Sequence, residues 1–495
     1  MSDIREIPII ARGRIIRPTD DDVAIFNGRG GAQFRSPDPH RHIHDMVLGN
    51  PVLLADLMDT PTSQIIEFLV EVGKRLRLDD NPWFQESFEL CLQAGGLAEP
   101  ILRSVYDRLP ALFDGHHLTE QVENTIGSAY LDGWVARDGH DGRYRTRAIG
   151  TRQLHITAGN VPVVAAVTII RGALSKSDIL IKSPSNDPLT ANAIARTMIE
   201  LDAAHPVTKH VAVAYWKGGD EAMEREIVRT TRIDKITAWG GMSSVRHIQK
   251  FLQPGIDLIA LNPKFSISMV GAETLESEAA MDEAATGIAV MAGLMNQTAC
   301  VNTRMVYIEC GDDDESLAKL EDLGRRVVAA LKTLPSFFST PAAAPNPELE
   351  AELEAVAMED DFYTVLGNTV DGGVVISRFP DRVDFYDQLN NRVVNLIPVP
   401  DLLDVVKWCD DTTQNVGIYP ESLRDRLIGP FALAGVQQFV PLSGGDPVKV
   451  YREFNSLPAG MPHDGIEPLR RSVRWVIDHR APAEQAVNHL QVAAA

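Results

Sequence analysis

The sequence predicts an α/β protein with two α/β lobes and a cleft between them. Short apolar strands alternate with helices from residue 154 to residue 251, and a second alternating block runs from residue 265 to about residue 440. Such alternation is typical of parallel sheets whose two faces are covered by helices. The chain has 495 residues, which is enough for two or three domains with large buried cores.

The first lobe is predicted from four short apolar strands, each followed by a helical pattern. The expected strands are residues 154–157, 178–182, 211–215 and 235–239, and the expected helices are residues 163–173, 189–203, 221–230 and 243–251. The second lobe is predicted from a helix at residues 276–295, a strand at 304–309, a helix at 315–333 and strands at 374–377 and 393–397.

These patterns divide the chain into four predicted segments. Residues 1–150 form a strand and helical region with a projecting hairpin, because Asp-Gly pairs punctuate its last part. Residues 151–264 and 265–445 form the two lobes, and residues 446–495 form a tail that packs back on the body. A helix is predicted in that tail over residues 469–477. The hairpin is predicted to be either an oligomer contact or a surface flap.

The charge balance argues against binding of nucleic acid. The sequence has 47 Lys and Arg residues against 68 Asp and Glu residues, which gives a net charge of −21. A general nucleic-acid surface needs clustered cations for its phosphate contacts. The balance does not exclude an anionic cofactor, whose pocket can be locally basic.

The cysteine pattern and the N-terminus predict a cytoplasmic protein. Its four cysteines lie far apart without CxxC spacing, which fits a reducing compartment. The first residues lack a signal-peptide layout, and no apolar run approaches the length of a membrane span. His40, His42 and His44 alternate as on one face of a strand, but no second group of ligands accompanies them, so no metal is predicted.

One cysteine is distinguished by its position. Cys300 lies in the polar stretch Asn296-Gln-Thr-Ala-Cys-Val-Asn-Thr-Arg304, between a predicted helix and a predicted strand. A thiol in such a loop is accessible to a substrate, and its thiolate is a strong nucleophile. A lone cysteine is more often a small buried hydrophobe, so the nucleophile interpretation depends on partners elsewhere. Cys91, in an apolar helical pattern, is predicted to be such a core residue.

Three further features lie at strand ends of the first lobe. Asn160 follows a strand and precedes a helix, where its carboxamide and nearby N–H groups can donate hydrogen bonds. Lys182 ends a strand, where ligands of open parallel sheets bind. Gly240 and Gly241 open a helix whose first N–H groups and dipole favour phosphate. Ser243 and Ser244 are expected to cap that helix whether or not a phosphate binds there.

In this order, the features resemble the aldehyde dehydrogenase superfamily. Ala158-Gly-Asn-Val-Pro162 is similar to its Asn-Phe-Pro segment, and Ile181-Lys-Ser-Pro-Ser185 is similar to its strand ending in Lys-Pro-Ser-Glu. Lys217-Gly-Gly219 and Trp239-Gly-Gly241 resemble the two glycine loops before its cofactor helix. The match is good over residues 150–310 and looser to about residue 445. It implies an aldehyde-dehydrogenase-like α/β fold with two Rossmann-like lobes, the first cofactor-binding and the second catalytic.

The superfamily's general-base Glu is missing from this chain. Where that Glu should precede a Gly-Gly-Lys, the chain has Ile259-Ala-Leu-Asn-Pro-Lys264. Neither Ala260 nor Leu261 can take a proton from water. Drift in an inactive homologue would also explain the loss.

The spacing around the nucleophile narrows the resemblance. Gln297 and Cys300 form Gln-x-x-Cys, whereas Gln-x-Cys is usual in the superfamily. Together with Gly435-Val-Gln-Gln-Phe-Val-Pro441 and Pro462-His-Asp-Gly465, this spacing resembles the bioluminescence-type fatty acyl-CoA reductases of the LuxC family. His463-Asp464 could give a proton to departing CoA, but the following glycine predicts a turn.

The resemblance implies reduction of an acyl-CoA, in this family a long-chain fatty acyl-CoA, by NADPH to aldehyde and CoA. It assigns Cys300 as the nucleophile that forms a thioester acyl-enzyme. It assigns Asn160 and the Cys300 backbone N–H as donors to the oxyanion. Hydride from the nicotinamide then releases the aldehyde. Loss of the base Glu suits this direction, because no water needs to be activated.

The choice of cofactor follows from Ser185, which stands where the superfamily has its acid. A carboxylate there would bind the ribose hydroxyls but repel a 2′-phosphate, so Ser185 beside Lys182 favours NADPH over NADH. The further residues assigned to the cofactor are Gly218, Gly240, Gly241 and Ser243.

Two other functions remain open at this point. One is an aldehyde dehydrogenase that runs in reverse, either CoA-acylating or hydrolytic. The other is a non-catalytic acyl-binding partner in a reductase complex, in which case Cys300→Ala would leave the biological role intact. The resemblance also implies a homo-oligomer and a complex with an acyl-activating ligase or an acyltransferase.

Overall fold

The chain forms two compact units. The computed structural model describes residues 4–28, 31, 33–140, 142–261, 263–442, 446–449 and 462–479. The first unit consists of residues 1–96, 105–262 and 458–495, and the second consists of residues 97–104 and 263–457. The first unit combines the N-terminal segment with the first lobe. The domain boundaries at residues 150, 264 and 445 remain predictions.

Strands and helices alternate along most of the described chain, which confirms the predicted α/β class. The strands are β1 (Arg5–Glu6), β2 (Ile9–Ala11), β3 (Arg14–Ile16), β4 (Ala24–Asn27), β5 (Gln33–Ser36), β6 (Val135–Gly139), β7 (Gly142–Ile149), β8 (Arg152–Ile156), β9 (Asp178–Lys182), β10 (Val211–Ala214), β11 (Lys235–Trp239), β12 (Asp257–Leu261), β13 (Phe265–Val270), β14 (Thr303–Glu309), β15 (Tyr363–Asn368), β16 (Gly372–Ser377), β17 (Val393–Val399), β18 (Thr413–Tyr419), β19 (Gln438–Pro441) and β20 (Arg474–Asp478). The α-helices are α1 (Ile43–Met46), α2 (Ala55–Asp59), α3 (Thr62–Arg75), α4 (Pro82–Ala94), α5 (Glu99–Arg108), α6 (Gly115–Thr125), α7 (Ser128–Asp132), α8 (Val163–Leu174), α9 (Thr190–Asp202), α10 (Pro206–Lys209), α11 (Glu221–Ile227), α12 (Met242–Gln249), α13 (Glu278–Gly293), α14 (Asp314–Thr333), α15 (Pro347–Ala357), α16 (Arg424–Leu433) and α17 (Pro468–Ser472). Short 3₁₀ helices cover Pro39–His42, Pro51–Leu54, Leu109–Phe113, Ala272–Glu276, Leu294–Gln297, Tyr386–Gln388, Leu402–Trp408 and Glu421–Leu423.

A seven-stranded sheet forms the centre of the first unit, in the order β12-β11-β8-β9-β10-β2-β3. The five strands from β12 to β10 are parallel, whereas β2 runs antiparallel to β10 and β3 to β2. From β8, the chain adds β9 and β10 on one side and then β11 and β12 on the other. This reversal is a topological switch point, beyond which ligands of open α/β sheets bind at the carboxyl ends of the strands.

Apolar side chains cover one face of this sheet. Alternate residues of a strand point to opposite faces, so every second position of β8 to β11 contributes to one core. That core joins the sheet to α11 and α12 and includes Leu154, Leu180, Ala212, Ala214, Met223, Ile227, Ile236, Ala238, Val245 and Ile248. The intervening positions of β8 face the other way, and two of them are Gln153 and His155.

The predicted hairpin and part of the predicted tail come together in a small sheet of the first unit. β6 and β7 pair antiparallel, which confirms the hairpin, and β20 pairs antiparallel with β7. The helix predicted over residues 469–477 is wrong beyond Ser472, because β20 follows at once. The Trp475, Val476 and Ile477 side chains of β20 favour a strand where another strand is available for pairing. Residues 450–461 and 480–495 of the predicted tail lie outside the described residues.

The turn predicted at His463-Asp464 is confirmed. His463 and Ile466 form an antiparallel bridge, and Asp464 and Gly465 between them have φ angles of 52° and 73°. Two successive positive φ angles are the signature of a tight hairpin turn, in which Asp-Gly is favoured.

A second seven-stranded sheet, in the order β15-β16-β17-β14-β13-β18-β19, forms the centre of the second unit. All its neighbouring strands are parallel except β15, which runs antiparallel to β16. One face is covered by α13 and α14, whose buried residues include Ala284, Ile288, Leu320, Leu323 and Val327. This packing fixes the end of α13 next to the start of β14.

The three N-terminal histidines are helical rather than extended. His40 and His42 lie in a 3₁₀ helix and His44 lies in α1, so they do not share a strand face. His42 bonds Asp22 at 2.7 Å and Asp45 at 3.0 Å. Among the described residues, no group of three or more His, Cys, Asp and Glu side chains is arranged to hold a metal ion. Within the same residues, no helix combines the length and the apolar character needed to cross a membrane.

A buried ionic cluster joins β9 and β10 near their amino ends. The two ring nitrogens of His210 lie 2.8 Å from carboxylate oxygens of Asp178 and Asp56. Arg12 also binds Asp178, and Lys209 also binds Asp56. Burial disfavours the charged imidazolium, but the hydrogen bonds to the two carboxylates outweigh it, so the pKa of His210 is raised.

We expect His210→Gln to destabilise the protein most at low pH. A histidine with a raised pKa in the folded state contributes stability that is complete below its unfolded pKa of about 6.5. That contribution disappears as the pH rises through the folded pKa. The loss of unfolding free energy should be about 2 kcal/mol near pH 6 and should shrink as the pH rises through the raised pKa of the folded state. Urea denaturation midpoints measured against pH test this.

His205→Gln is the matched control. The ring of His205 stacks on Phe68 with centroids 3.8 Å apart, and its Nδ1 accepts the Val207 N–H. Burial lowers the pKa of His205, so its contribution is complete above about pH 6.5 and fades as the pH falls. The two variants should therefore show opposite pH dependences, and parallel curves would contradict the assignment.

Candidate active site

The carboxyl ends of the five parallel strands in the first unit lie in register. Ala214 pairs with Lys182, Lys182 with Ile156, Ile156 with Ala238, and Ala238 with Ala260. The segments that follow these five residues therefore start along one edge of the sheet. All the site residues that the sequence predicts for the first unit lie in or just after this row.

Asn160 is exposed in the loop between β8 and α8. Asn186, from the loop after β9, holds this loop by donating from Nδ2 to the Gly159 carbonyl at 2.7 Å. A Cβ at Gly159 would lie 2.0 Å from Asn186 Oδ1, so a larger residue at this position would displace the Asn186 side chain. The loop thus carries the Asn160 carboxamide at the carboxyl edge, where it can donate to a ligand oxygen.

Lys182 ends β9 with its ammonium over the ring of Trp216, 5.6 Å from the ring centroid. Burial lowers the pKa of Lys182, and the Glu224 carboxylate acts in the opposite direction. Trp216 is buried, and its Nε1 has no hydrogen-bond partner among the described residues. A half-buried cation beside an unsatisfied N–H suits a ligand that is anionic or rich in hydroxyl groups.

Two turns flank Lys182 along the edge. Ser185 is half-buried in the turn after β9, and Gly218 is exposed in the turn after β10. A Cβ at Gly218 would meet nothing within 4 Å, so a ligand can approach this backbone closely. Gly219 has a φ of +87°, which a side chain would disfavour. Asp220 then caps α11 and bonds His40 at 2.8 Å, which holds the turn in place.

Gly240 and Gly241 connect β11 to α12. Gly240 has a φ of +145°, and Gly241 is the N-cap of α12, so no N-cap side chain accepts a hydrogen bond from the first N–H groups of this helix. The interpretation of Ser243 and Ser244 as caps is therefore wrong, because both lie inside the helix. Ser243 is exposed in the first turn, and the first N–H groups of α12 are available to an anion such as a phosphate.

β12 ends without an ionisable side chain. Ala260 lies in the row at the carboxyl edge, and Leu261 is buried. Asn262 lies outside the described residues. Neither Ala260 nor Leu261 can act as a general base.

In the second unit, Cys300 lies in the predicted loop between α13 and β14 and is exposed. Its carbonyl accepts a hydrogen bond from Ser266 Oγ at 2.9 Å. Ser266 is buried at the start of β13. The backbone at Cys300 is therefore anchored to the sheet, while its side chain is open to solvent.

The backbone before Cys300 is strained. Met295, Asn296 and Gln297 have φ angles of 47°, 52° and 64°, and a left-handed backbone costs a non-glycine residue about 1–2 kcal/mol. Buried Gln297 offsets part of this cost. Its Nε2 donates to the carbonyls of Thr303 and Val393, both at 2.9 Å, and its Oε1 accepts the Val393 N–H at 3.0 Å.

Asn302 holds the other side of the same loop and is 1% exposed. Its Nδ2 donates to the carbonyls of Met291 at 2.8 Å and Leu294 at 2.9 Å, and its Oδ1 accepts the Ala299 N–H at 2.9 Å. Carbonyls at a helix end need such partners. One side chain therefore joins the end of α13 to the residue just before Cys300.

Arg304 adds a positive charge near the thiol. Its Nη1 donates to the Asp387 carbonyl at 2.6 Å. Burial lowers the pKa of Arg304, while Asp387 and Cys300 act in the opposite direction. Arginine stays protonated in proteins, and a cation near a cysteine favours the nucleophilic thiolate.

The other cysteines are less suited to chemistry. Cys91 is buried and bonds Asp187 at 3.3 Å, and burial raises its thiol pKa, which confirms its predicted core position. Burial raises the pKa of Cys310 to about 12 and that of Cys409 to about 11. Of the four cysteines, Cys300 alone is classed as exposed.

Two positioning residues, Asn186 and Asn302, were not predicted from the sequence. Each bonds the backbone of a loop that carries a candidate residue. Their only signal in the sequence is a place close to a strand in a polar segment, where Asn is common for many reasons. The structure brings the predicted residues of the first unit to one edge and shows Cys300 exposed in the second unit.

A protein-family match covers most of the chain. The family described as acyl-CoA reductase (LuxC) matches residues 57–475. A long-chain acyl-protein thioester reductase of Vibrio harveyi is 24% identical over 481 residues, which cover 96% of this chain and 94% of that relative. A protein of the same description from Aliivibrio fischeri is 27% identical over 433 residues, covering 86% of this chain and 84% of the relative.

Solved structures show the same fold at low identity. NADP-dependent glyceraldehyde-3-phosphate dehydrogenase of Bacillus halodurans, complexed with NADP, superposes with a TM-score of 0.70 at 13% identity, covering 96% of this chain and 99% of that one. An aldehyde dehydrogenase of Mycobacterium tuberculosis, complexed with NAD⁺, gives 0.67 at 14% identity, covering 98% and 100%. The fold is therefore that of an aldehyde dehydrogenase, and the match over residues 57–475 shows that this chain is an oxidoreductase of the LuxC family of acyl-CoA reductases.

Proposed function

We propose that this protein uses NADPH to reduce an acyl-CoA to an aldehyde and free CoA through a thioester on Cys300. The preferred acyl group in this proposal is long-chain. The observation that carries the proposal is the exposed thiol in a loop fixed by buried amides. Such fixation is what a nucleophile needs, because a loosely held group loses the benefit of orientation.

The first step is acyl transfer to the thiol. The Cys300 thiolate attacks the carbonyl carbon of the acyl-CoA, a new C–S bond forms, and the bond to the CoA sulfur breaks so that CoA leaves as a thiolate. The positive charge of Arg304 stabilises the attacking thiolate. The anchored carbonyl of Cys300 keeps the backbone in place during the attack.

The negative charge on the carbonyl oxygen needs donors while the acyl group is transferred. We assign this role to the carboxamide of Asn160 and to the backbone N–H of Cys300. The support from the structure is that Asn160 is exposed on a loop held by Asn186.

The edge of the first unit fits a nicotinamide dinucleotide. The first N–H groups of α12, with Gly240 and Gly241, suit its pyrophosphate, and Gly218 and Ser243 lie exposed along the same edge. Lys182 and Ser185 suit the adenosine ribose and its 2′-phosphate, which supports NADPH over NADH. When bound, the reduced cofactor supplies the hydride that converts the acyl group to the aldehyde.

The end of β12 offers no general base for hydrolysis of an acyl-enzyme. Ala260 stands at the carboxyl edge, so no carboxylate is present at that position to activate a water molecule. This favours reduction over hydrolysis and argues against a hydrolytic aldehyde dehydrogenase. Aldehyde and NADP⁺ without CoA should therefore give no acid.

The substrate can also arrive on a partner protein. The relatives from Vibrio harveyi and Aliivibrio fischeri are described as reductases of acyl-protein thioesters. We therefore include in the proposal a partner that activates or transfers acyl groups, together with a homo-oligomer in the cytoplasm. A thiol as acyl acceptor serves both donors, since CoA and protein thioesters share the reacting bond.

We expect acyl-CoA without NADPH to leave one acyl group on Cys300. The mass of the intact protein, measured after denaturation, should rise by one acyl group in the wild type and not in Cys300→Ala. NADPH oxidation should fall at least about a thousandfold in that variant, as for other lost nucleophiles. Cys310→Ser is the matched control and should still be acylated. Acylation that persists in Cys300→Ala would contradict the assignment of Cys300 as the nucleophile.

We expect iodoacetamide to alkylate Cys300 before the other cysteines, and the rate to depend on Asn302. The raised pKa values of Cys310 and Cys409 leave little thiolate there near neutral pH. Asn302→Ala removes three loop contacts and should lower kcat by about tenfold or more with little change in KM. Tryptic mapping against time measures the alkylation, and an unchanged kcat in folded Asn302→Ala would refute the role of this residue.

We expect Ser185→Glu to reverse the cofactor preference. A carboxylate next to the 2′-phosphate should raise the Kd for NADPH about tenfold or more and leave that for NADH unchanged or lower. Ser185→Gln is the control, because it has the same size without the charge. Fluorescence titration of both nucleotides gives the ratio of the two Kd values, and identical ratios in the Glu and Gln variants would contradict the assignment.

A further inference from the structure

One face of β8 is both polar and buried. Thr151, Gln153, His155 and Thr157 alternate along it and all are buried, while Leu154 lies on the apolar face. A row of buried polar groups on a central strand has to be matched by hydrogen-bond partners. The partners are distributed unevenly along this row.

The end of the row near the amino edge is satisfied. Gln153 Nε2 donates to Thr151 Oγ1 at 3.0 Å, to Ser177 Oγ at 2.7 Å and to the Ser472 carbonyl at 3.0 Å. Thr151 Oγ1 donates to the same Ser472 carbonyl at 2.7 Å. Ser472 belongs to α17, so the C-terminal helix covers this end.

Near the carboxyl edge, Thr157 Oγ1 donates to the Lys182 carbonyl at 3.0 Å, but the ring of His155 is satisfied only in part by the described residues. His155 Nε2 lies 3.0 Å from Gln153 Oε1, which must accept, since the Gln153 nitrogen already donates. Nε2 therefore carries the hydrogen and Nδ1 is an acceptor. Burial lowers the pKa of His155 to about 3, and nearby Arg171 acts in the same direction, so the ring is neutral. Among the described residues, Nδ1 has no partner.

Three more buried atoms without a partner among the described residues lie on α8 and at the end of β11. They are Thr168 Oγ1, Arg171 Nη1 and Trp239 Nε1. The Arg171 guanidinium lies 5.6 Å from the Trp239 ring centroid, and the His463 ring contacts Trp239 at 5.3 Å. Burial lowers the pKa of Arg171 to about 10, and Asp464 acts in the opposite direction. The C-terminal turn therefore lies beside this cluster.

We propose that His155, Arg171 and Trp239 form a subsite for an amide group of a bound ligand. Arg171 and Trp239 offer N–H donors for an amide carbonyl, and His155 Nδ1 offers an acceptor for an amide N–H. A phosphate fits less well, because it carries no donor for His155 and would meet the nearby carboxylate of Asp464. The subsite lies next to the switch point between β8 and β11, where ligands of such sheets bind.

This inference rests on the proposed function, which supplies two ligands with amides. NADPH carries the carboxamide of its nicotinamide, and acyl-CoA carries two amides in its pantetheine arm. Trp239 directly precedes Gly240, which we assign to the pyrophosphate, so the nicotinamide carboxamide is the expected occupant. Experiments with fragments that lack each amide distinguish the two sources.

The test compares Trp239→Phe and Arg171→Gln with the wild type in binding titrations. The Phe variant keeps an aromatic ring and removes one N–H. The ligands are NADPH, 2′-phospho-ADP-ribose without the nicotinamide, CoA, and adenosine 3′,5′-bisphosphate without the pantetheine arm. The Kd for NADPH should rise about tenfold, as for a lost buried hydrogen bond, while that for 2′-phospho-ADP-ribose should stay within about twofold.

Trp216→Phe is the matched control, because it removes another buried indole N–H that lies beside Lys182 and has no partner within the described parts of the chain. It should change binding of NADPH and its fragment by the same factor. A selective loss of CoA binding over its bisphosphate fragment would assign the subsite to pantetheine and still support the proposal. Unchanged ratios for both pairs, in variants whose Tm shows that they are folded, would overturn it. If the wild type binds neither NADPH nor CoA, the proposed function fails as well.

Discussion

The hydrogen-bonded register of five parallel strands is the constraint that places the candidate residues of the first unit along one edge of its sheet. It aligns Lys182, Ile156 and Ala238 in one row, so the loops after them leave the sheet at one level. The reversal of strand order beside β8 then separates the loop of Asn160 from the loop of Gly240. The pairing of the strands therefore fixes where both loops begin.

The second unit holds a strained loop that carries an exposed thiol. Three successive left-handed residues precede Cys300, and a loop of this kind persists only if its surroundings over-determine it. Gln297 and Asn302 do so with side-chain amides that imitate backbone partners. Asn186 plays the same part for Asn160 in the first unit. Side-chain amides, rather than charges, therefore fix the loops of both candidate catalytic groups.

Local patterns in the sequence predict much of the fold. The features that they do not predict depend on long-range contacts. Apolar periodicity predicts the strands of the first lobe and the helix before Cys300 because those signals lie within a few residues. The burial of Gln153 depends on a carbonyl 319 residues away, and the strand at Trp475 depends on pairing with β7. The role of Asn302 depends on where α13 ends. None of these contacts leaves a periodic trace in the sequence.

The carbonyl of Ser472 has a consequence for the order in which the chain assembles. It is the partner of Thr151 and Gln153, which precede it by 321 and 319 residues. During synthesis, the whole of the second unit leaves the ribosome before Ser472 does. Until then, the hydrogen bonds of Thr151 and Gln153 to this carbonyl cannot form, so these two groups need water or another partner in its place. The second unit can therefore fold before the polar face of β8 in the first unit has all of its partners.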